Sequence, residues 1–309
     1  MQPATAFLLA AGLGTRLRPL TDLVPKALVP VCGVPMLDHA LALVRAHGHQ
    51  RVLVNAHHLW EQVAAWAQRH DVELQVELPE ILGTGGGLRA ALERLADPVV
   101  IVNADILCDV DLTALVAAVP QGGAAMALRP SVHAAEIGPV EPDPQGRVVR
   151  ISTVVGQPGS GLAGFHFTGI HAMGRAAIAQ VPEHGLQCVV RTAYKALVPQ
   201  GRVASVRHDG TWIDVGDPRA YLDANLAVLA GRVRAPVDPW SRGRRLATDS
   251  WGGAGCQVDG VVYQSVIGAG ARVPAGAELT RCVVWDGVEV PPGSHERTIF
   301  AAPGVAVRG

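Results

Sequence analysis

A glycine-rich loop followed by cations is the first feature of the sequence whose residue types could do chemistry. Gly12-Leu13-Gly14-Thr15-Arg16 follows an apolar run, and Arg18 and Lys26 come after it. Glycines let backbone N–H groups close on an anion, which nearby cations then neutralise. Lys26 and Lys195 are the only lysines among 26 basic residues, so a compact ammonium group behind this loop stands out. The pattern predicts phosphate binding.

Two standard phosphate-binding motifs do not fit this loop. A dinucleotide-binding loop needs a third small residue where Leu17 stands, and an acid near the end of the second strand, where the chain has Asn55. A P-loop needs the G-K-[ST] sequence, which is absent. From the residues alone, the loop is either a phosphate cradle of another kind or a tight turn.

Two carboxylates could hold a metal ion. Asp105 follows the apolar run Val99 to Asn103, and Asp214 ends a later apolar stretch. Carboxylate oxygens suit Mg²⁺. Without further context, Asp105 could equally be a turn residue or a helix cap, and Asp214 a solvated loop acid.

The motifs together resemble those of the sugar-1-phosphate nucleotidyltransferases, the NDP-sugar pyrophosphorylases. The signature runs from Leu8 to Thr21 and continues through Pro25 to Pro30. In the same order follow Leu82 to Gly87, Val102 to Asp105, Thr168 to Ile170 and Trp212 to Gly216. The resemblance therefore spans residues 4 to about 230.

This resemblance implies a role for each matching residue. Arg16 and Lys26 would be catalytic, and Asp105 and Asp214 would bind Mg²⁺. The nucleotide would be bound by Leu9, Ala10, Ala11, Gly12, Gly14, Thr15, Glu80, Gly83, Thr84 and Asn103. The sugar phosphate would be bound by Gly138, Thr168, Gly169 and Arg191.

One departure from the family pattern concerns the sugar phosphate. Most members carry Glu-Lys-Pro before the sugar-binding strand, but residues 151–161 contain neither lysine nor glutamate. Another cation must therefore hold the phosphate. Arg191 and Lys195 are candidates, and an ordinary charged helix face is the competing interpretation.

The expected reaction joins a nucleoside triphosphate to a sugar 1-phosphate, giving an NDP-sugar and pyrophosphate. A carboxylate at Glu80 can accept hydrogen bonds from the N–H groups of guanine, which favours GTP, with mannose 1-phosphate as acceptor. The alternatives are uridylyl or thymidylyl transfer to a sugar 1-phosphate of muramic acid, glucose or heptose type. A non-catalytic, nucleotide-sugar-sensing subunit is a further alternative.

The elements that must position these residues form an α/β fold. Short apolar runs alternating with helical periodicity predict parallel strands and crossover helices up to about residue 128. A strand at Thr211 to Val215 and a helix from Pro218 to Leu229 follow. The resemblance makes this a Rossmann-like nucleotidyltransferase sheet, occupying residues 1–230, with a linker at 231–250.

Residues 251–309 predict a short β-helix tail. Val261, Ile267, Val273, Leu279 and Trp285 fall six apart with glycines between them, as in hexapeptide repeats, and would make fewer than two coils. The resemblance implies a left-handed parallel β-helix. Because so short a coil leaves apolar surface, it should pack on the catalytic domain or form a homo-oligomer. Ending the chain near residue 235 should then lower solubility or oligomer size but leave the phosphate and metal sites in place.

Composition excludes several classes of protein. A formal charge of −1, from 26 basic and 27 acidic residues, lacks the electrostatic footprint of a nucleic-acid or anionic-membrane binder. No apolar run approaches the roughly 20 residues of a membrane span. Five widely spaced cysteines predict reduced thiols and a cytoplasmic location. The expected partners are a nucleoside triphosphate and a sugar 1-phosphate.

Overall fold

The computed structural model describes residues 4–309, which form two compact units built from several stretches of chain. The first contains residues 4–12, 43–104 and 110–210, and the second residues 13–42, 105–109 and 211–309. The sequence-based boundaries at residues 230 and 250 stay a prediction. No helix within residues 4–309 is long and apolar enough to cross a membrane.

A mixed sheet of nine strands forms the centre of the first unit. Its main row runs Val203–Arg207, Ala124–Pro130, Phe165–Met173, Leu95–Asn103, Ala4–Leu9, Val52–Ala56 and Glu73–Val76, and the hairpin Pro139–Pro142/Val148–Ile151 extends from Phe165–Met173. The last four strands of the row are parallel to one another, as the sequence predicts. Phe165–Met173 runs antiparallel to both of its neighbours in the row, so the whole sheet is mixed.

Burial explains why the central strands read as continuous apolar runs. Phe7, Leu8, Ile101 and Val102 are fully buried, which requires cover on both faces of the sheet. The covering helices and turns of this unit are Trp60–His70, Gly83–Ala91, Leu92–Arg94, Leu112–Ala117, Ala134–Ile137, Arg175–Ile178, Val190–Tyr194, Lys195–Leu197 and Val198–Gln200. The predicted helix around Met36 to Val44 is confirmed as Met36–Ala46.

The second unit begins with short elements that carry the glycine loop and end in a hairpin. These are the helical turns Thr15–Leu17, Leu20–Leu23 and Lys26–Leu28 and the strands Pro30–Val31 and Val34–Pro35. Ile106–Cys108 pairs antiparallel with Trp212–Asp214. The helix Pro218–Leu229 then starts where predicted, since Asp217 caps it by accepting from the N–H of Ala220 at 2.8 Å.

Residues 231–250, predicted as a linker, carry ordered elements. Pro239–Ser241 forms a short helical turn, and Gly243–Leu246 pairs antiparallel with Ser250–Gly253. This segment therefore leads directly into the strand-rich region that follows.

Residues 250–302, hereafter the coil, stack short parallel strands on three faces. One face contains Ser250–Gly253, Val266–Ile267, Val283–Val284 and Thr298–Ala302. A second contains Val261–Tyr263, Ala277–Thr280 and Gly293–Glu296, and the third Gln257–Val258 and Arg272–Val273. The strand Val305–Arg308 folds back antiparallel on Thr298–Ala302. A parallel coil is thus present, and its left-handed turn stays a prediction.

Two details of the predicted repeat are wrong. The chain passes one face of the coil four times, so it makes more coils than the fewer than two expected. The strands Ser250–Gly253 and Gly293–Glu296 contain Gly, Ser and His, and Thr298–Ala302 lies outside the six-residue spacing, so the repeat does not mark them. Val261 is 60% exposed and Val262 is buried, because Val262 lies opposite the inward-facing Leu279 and neighbouring residues of a strand alternate in direction.

One apolar core joins the coil to the loop-bearing part of the second unit. Leu17, Val29 and Val215 belong to the same buried cluster as Ile267 and Ile299. Four residues of the predicted repeat are therefore covered within the chain itself, namely Ile267, Val273, Leu279 and Trp285, whereas Val261 is exposed. All five cysteines are free thiols, as expected.

Candidate active site

Four charged side chains of the second unit lie together: Arg16, Lys26, Asp105 and Asp214, hereafter the charge cluster. Lys26 Nζ lies 2.6 Å from Asp105 Oδ2 and 3.8 Å from Asp214 Oδ1. Arg16 Nη2 lies 4.0 Å from Asp214 Oδ2. The structure thus brings together the four residues expected to be catalytic or metal-binding.

Backbone pairing explains how two aspartates so distant in sequence come together. Asp214 is paired with Ile106 across the short antiparallel ladder. The N–H of Val215 donates to the carbonyl of Asp105 at 3.1 Å, which extends this pairing by one residue. The two carboxylates therefore stand at the same end of the ladder.

The side chains of the charge cluster differ in how much of their surface is exposed to solvent. The side chain of Lys26 is 11% exposed and that of Arg16 is 70% exposed. Burial raises the pKa of Asp214, and the negative charge of Asp105 raises it further, while Lys26 and Arg16 act in the opposite direction. The ionised form of Asp214 is thus less stable here than in water.

Asp105 and Asp214 could together hold a divalent cation. Across residues 4–309, no group of three or more His, Cys, Asp or Glu side chains is arranged as a metal site. Mg²⁺ is commonly held by one or two carboxylates, and substrate phosphates and water complete its shell. The oxygens of Asp105 and Asp214 suit Mg²⁺, and a bound cation would relieve the repulsion between the two carboxylates.

The glycine loop has the local geometry of an anion site. Gly14 adopts φ 63°, and a Cβ there would lie 2.8 Å from Thr21 Cγ2, so only glycine fits. The Thr21 hydroxyl donates to the Gly14 carbonyl at 2.9 Å and fixes the turn. The first N–H groups of a helical turn have no partner within it. Those of Thr15 and Arg16 are therefore suited to bind phosphate oxygens.

A buried amide–carboxylate pair organises the nucleotide-binding candidates of the first unit. Asn55 Oδ1 accepts from the N–H groups of Ala10 and Ala11, at 2.7 and 3.3 Å. Its Nδ2 donates to Glu77 Oε1 at 2.7 Å, and Glu77 Oε2 accepts from the N–H of Leu82 at 2.8 Å. The start of the glycine loop is thereby tied to residues 77–84, hereafter the base loop.

Close packing accounts for the triple glycine that follows the base loop. A Cβ on Gly87 would lie 2.7 Å from Glu77 Oε1. The N–H groups of Gly85 and Gly86 donate to the carbonyl of Gln187, at 2.8 and 3.3 Å. These N–H groups, near the start of the helix Gly83–Ala91, are therefore already hydrogen-bonded within the protein.

The base-loop residues expected to contact the nucleotide have different environments. Thr84 Oγ1 accepts from the N–H of Val189 at 3.2 Å, and Gly83 is the first residue of the helix. Glu80 is exposed and makes no ion pair within the described chain. Its carboxylate is thus available to a ligand.

The residues expected to bind the sugar phosphate are distributed over the first unit. A Cβ on Gly169 would lie 2.6 Å from Asn103 Nδ2, so these two are in contact. The hydroxyl of the buried Thr168 donates to the Ala127 carbonyl at 2.8 Å. Gly138 ends the short helix Ala134–Ile137, and Arg191 is exposed on the π-helical turn Val190–Tyr194. Their contacts with sugar stay a prediction.

An ion pair holds the segment that lacks the family's lysine. The Glu141 carboxylate accepts from the N–H groups of Gly159 and Gly161, at 3.2 and 3.1 Å. It also pairs with Arg150. Arg150 is therefore committed to the protein, which leaves the exposed Arg191 and Lys195 as candidates for the phosphate.

The sequence did not predict that Asn55 and Glu77 join the two candidate loops. In the sequence, Asn55 stands where a dinucleotide-binding fold has an acid, which does not indicate that its side chain binds the backbone of the glycine loop. A signal was available in its position, since it ends a parallel strand beside the glycine loop. For Glu77 no signal exists in the sequence, because its burial depends on tertiary contacts.

Comparison with known proteins places these features in context. A family model described as nucleotidyl transferase matches residues 5–231. Mannose-1-phosphate guanylyltransferase of Mycobacterium tuberculosis is 28% identical over 300 residues, covering 93% of this chain and 81% of that protein. N-acetylmuramate alpha-1-phosphate uridylyltransferase of Caulobacter vibrioides is 30% identical over 247 residues, covering 72% and 96%.

A solved structure shares the fold. HddC from Yersinia pseudotuberculosis, complexed with GMP-PN, matches with a TM-score of 0.58 at 21% identity. The match covers 71% of this chain and 97% of that one.

Proposed function

Because this chain belongs to the nucleotidyl transferase family and is a sugar-1-phosphate nucleotidyltransferase, we propose that it transfers the guanylyl group of GTP to mannose 1-phosphate. The observation that carries the proposal is the charge cluster, in which two cations and two carboxylates meet. The products would be GDP-mannose and pyrophosphate.

The reaction makes one phosphorus–oxygen bond and breaks another. An oxygen of the sugar phosphate attacks the α-phosphorus in line, and the bond from that phosphorus to the β-phosphate oxygen breaks. No general base is needed, because the attacking phosphate is already ionised. The protein's task is to position the two anions and to neutralise the charge between them.

The two cations of the charge cluster would divide this task. Lys26, largely buried and fixed by Asp105, would hold the α-phosphate and the incoming phosphate. Arg16, largely exposed, can reach the departing pyrophosphate.

Asp105 and Asp214 would hold Mg²⁺. When bound, the ion supplies positive charge to the nucleotide phosphates. The two aspartates would orient the ion, and Lys26 beside them keeps their charges from repelling the substrate.

Glu80 supports the choice of guanine. An ionised carboxylate accepts hydrogen bonds, and guanine presents two neighbouring N–H donors where uracil presents a single N–H between carbonyls. The exposed Glu80 is free to make that contact. Similarity to a mannose-1-phosphate guanylyltransferase over 93% of the chain supports the same choice.

A substrate matrix tests the proposal. GTP, UTP, dTTP and ATP would each be combined with the 1-phosphates of mannose, glucose and N-acetylmuramic acid, and pyrophosphate release measured. Turnover should be fastest with GTP and mannose 1-phosphate, and Glu80→Gln should narrow the preference for GTP over UTP. Faster turnover with UTP in the native protein would contradict the choice of guanine.

Uridylyl transfer to a muramic-acid-type 1-phosphate is the second candidate. The Caulobacter vibrioides relative is 30% identical and supports it. A non-catalytic role is disfavoured because all four charged residues are retained in contact. If no combination of nucleotide and sugar 1-phosphate released pyrophosphate, the non-catalytic role would be favoured.

The proposal also covers the handedness of the coil and the assembly of the protein. We expect a left-handed coil and a homo-oligomer formed through it. Val261 and Tyr263 leave exposed apolar surface on one coil strand, which supports a contact there. Sedimentation of the native protein against Val261→Asp would test the oligomer.

A further inference from the structure

A cavity of about 630 Å³ lies in the second unit, apart from the charge cluster. It is lined by the C-terminal turn of the helix Pro218–Leu229, by Arg232 and Trp240, and by one corner of the coil. None of the four charge-cluster residues lines it. Its volume is within the range of small-molecule sites.

Arginine dominates the polar lining of this cavity. Arg232, Arg245, Arg281 and Arg297 line it, against the two acids Asp223 and Asp249. Arg297 Nη2 pairs with Asp223 at 2.8 Å and Arg245 Nη1 with Asp249 at 3.2 Å. Within residues 4–309, no carboxylate pairs with Arg232 or Arg281. The lining thus has an excess of two positive charges in a chain whose formal charge is −1.

The coil presents its polar corner residues in a stack. Tyr263 is opposite Thr280, and Thr280 opposite Glu296, so the next residues, Gln264, Arg281 and Arg297, follow one another up the corner. Arg281 Nε donates to Gln264 Oε1 at 3.2 Å. The guanidinium of Arg281 is therefore oriented by a neutral partner and keeps its charge for a ligand.

Backbone geometry adds a second observation at the same corner. Gln264, Arg281 and Arg297 have φ values of 47°, 53° and 46°, a left-handed region that long side chains rarely adopt. Glycine or asparagine would fit these corners with less strain. Two arginines held there, facing one cavity, indicate that their charges are used.

The remaining lining is apolar and aromatic. Leu226 and Leu229 contribute carbon surface from the helix, and the Arg245 guanidinium carbon lies 5.2 Å from the centroid of a Trp240 ring. A bare inorganic anion would leave this surface uncovered. A ligand with both negative charges and an uncharged body matches the whole lining.

We propose that this arginine cavity binds a small organic phosphate carrying at least two negative charges. Arg232 and Arg281 contact its phosphate oxygens, and its sugar or base body covers Leu226, Leu229 and Trp240. Because the cavity shares no lining residue with the charge cluster, binding there does not depend on the proposed transfer reaction.

Calorimetric titration of the full chain tests the proposal with three probes: GDP, glucose 1,6-bisphosphate and inorganic pyrophosphate. The first two separate nucleotide from sugar-phosphate ligands, and pyrophosphate reports charge alone. Titrations use the Lys26→Ala background, which weakens the proposed catalytic site. At least one organic probe should bind more tightly than pyrophosphate, at one molecule per chain.

The variant Arg232→Gln/Arg281→Gln should weaken that binding on the order of tenfold or more. The matched control is Arg244→Gln/Arg272→Gln, which removes the same charge from exposed arginines that do not line the cavity. Its binding should equal that of the parent. Trp240→Phe should remove any tryptophan fluorescence change on binding, and this second readout does not depend on the arginine variants.

Two results would overturn the proposal. One is the failure of all three probes to bind the parent chain. The other is equal affinity in parent and cavity variant, with both shown folded by thermal unfolding. Native turnover on the substrate matrix, measured separately, distinguishes either result from failure of the proposed transfer reaction.

Discussion

The charge cluster shows, at the scale of single residues, how one lysine balances two carboxylates. Lys26 contacts Asp105 at 2.6 Å and stands 3.8 Å from Asp214, so the two acids are not equivalent. Asp105 neutralises a largely buried ammonium, while Asp214 is partly buried with less compensation. Their removal should therefore affect stability in opposite directions.

Asp214→Asn should abolish most turnover while raising the free energy of unfolding at pH 7. The pKa of Asp214 is raised in the folded protein, so its ionisation costs stability as the pH rises through that pKa, and the amide removes the cost. Asp105→Asn should abolish turnover and lower stability, since it leaves Lys26 short of a partner. Urea unfolding measures the stability of each variant, and pyrophosphate release measures its turnover. A more stable Asp105→Asn variant would contradict this account.

Lys26→Ala and Arg16→Ala should each lower kcat/KM on the order of 10²-fold or more, because each removes a charge placed at the reacting phosphates. Arg18→Ala is the control, since Arg18 is exposed and pairs with Asp22 at 3.2 Å. Steady-state pyrophosphate release checks all three. Losses below threefold for Lys26 or Arg16 would remove that residue from the mechanism.

The base loop shows, at the scale of elements, how one buried contact can set the geometry of two loops. Asn55 holds the N–H groups of residues 10 and 11, and Glu77 holds both Asn55 and Leu82. Neither Asn55 nor Glu77 needs to touch substrate to act. We therefore expect them to position the nucleotide-binding loops.

Glu77→Gln should raise the KM for the nucleoside triphosphate by about tenfold and leave the KM for the sugar phosphate nearly unchanged. Glu77 accepts from Asn55 Nδ2 and from the N–H of Leu82 through two oxygens, but Gln has one accepting oxygen and an NH2 group that only donates, so one donor loses its acceptor. Glu73→Gln is the control, because Glu73 pairs with Arg94 at 2.9 Å without joining this network. Equal effects on both KM values would indicate general loss of structure.

Sequence patterns predicted the elements that have strong periodicity. The parallel strands, the helices Met36–Ala46 and Pro218–Leu229 and the glycine loop were all expected, because burial on one or two faces leaves a mark in the spacing of apolar residues. Ala124–Pro130 and Val203–Arg207 were not, since alanine, serine and arginine give no clear strand signal. Glu77 and the arginine cavity arise from tertiary contacts and have no local signature.

At the scale of the whole molecule, the coil completes the core beneath the charge cluster. Leu17, Val29 and Val215 share a buried cluster with coil residues. The sequence alone predicts that a chain ending near residue 235 keeps its phosphate and metal sites, whereas this shared core leads us to expect the opposite. Truncation would remove the coil residues that cover Leu17, Val29 and Val215, which are neighbours in sequence of the charge cluster.

A chain of residues 1–235 should show no measurable turnover, although it retains all four members of the charge cluster. In the full chain, Ile267→Ala should cost about 2–5 kcal/mol of stability, because Ile267 is fully buried. Val132→Ala is its control and should change stability by less than about 0.5 kcal/mol, since Val132 is 95% exposed. Urea unfolding compares the two, and full activity of the shortened chain would contradict the shared core.

Stability should fall as the pH decreases from about 6.5 towards 4. Burial lowers the pKa of His39 to about 4 and that of His171 to about 3, so the unfolded chain takes up these protons first. Each histidine should contribute a slope of about 1.4 kcal/mol per pH unit within its window. His39→Asn should reduce the slope measured by urea unfolding at a series of pH values, and an unchanged slope would exclude His39 as a cause.

The discontinuous second unit also has a consequence for biosynthesis. Residues 13–42 leave the ribosome early, but the partners that complete their core lie in residues 211–309. At about 5–20 residues per second, the delay is on the order of ten seconds. During that interval Leu17, Leu20 and Val29 have no completed core to enter and are available to chaperones. Arg16 and Lys26 are thus translated well before the coil, and we expect the nascent chain to become active only after the coil has emerged.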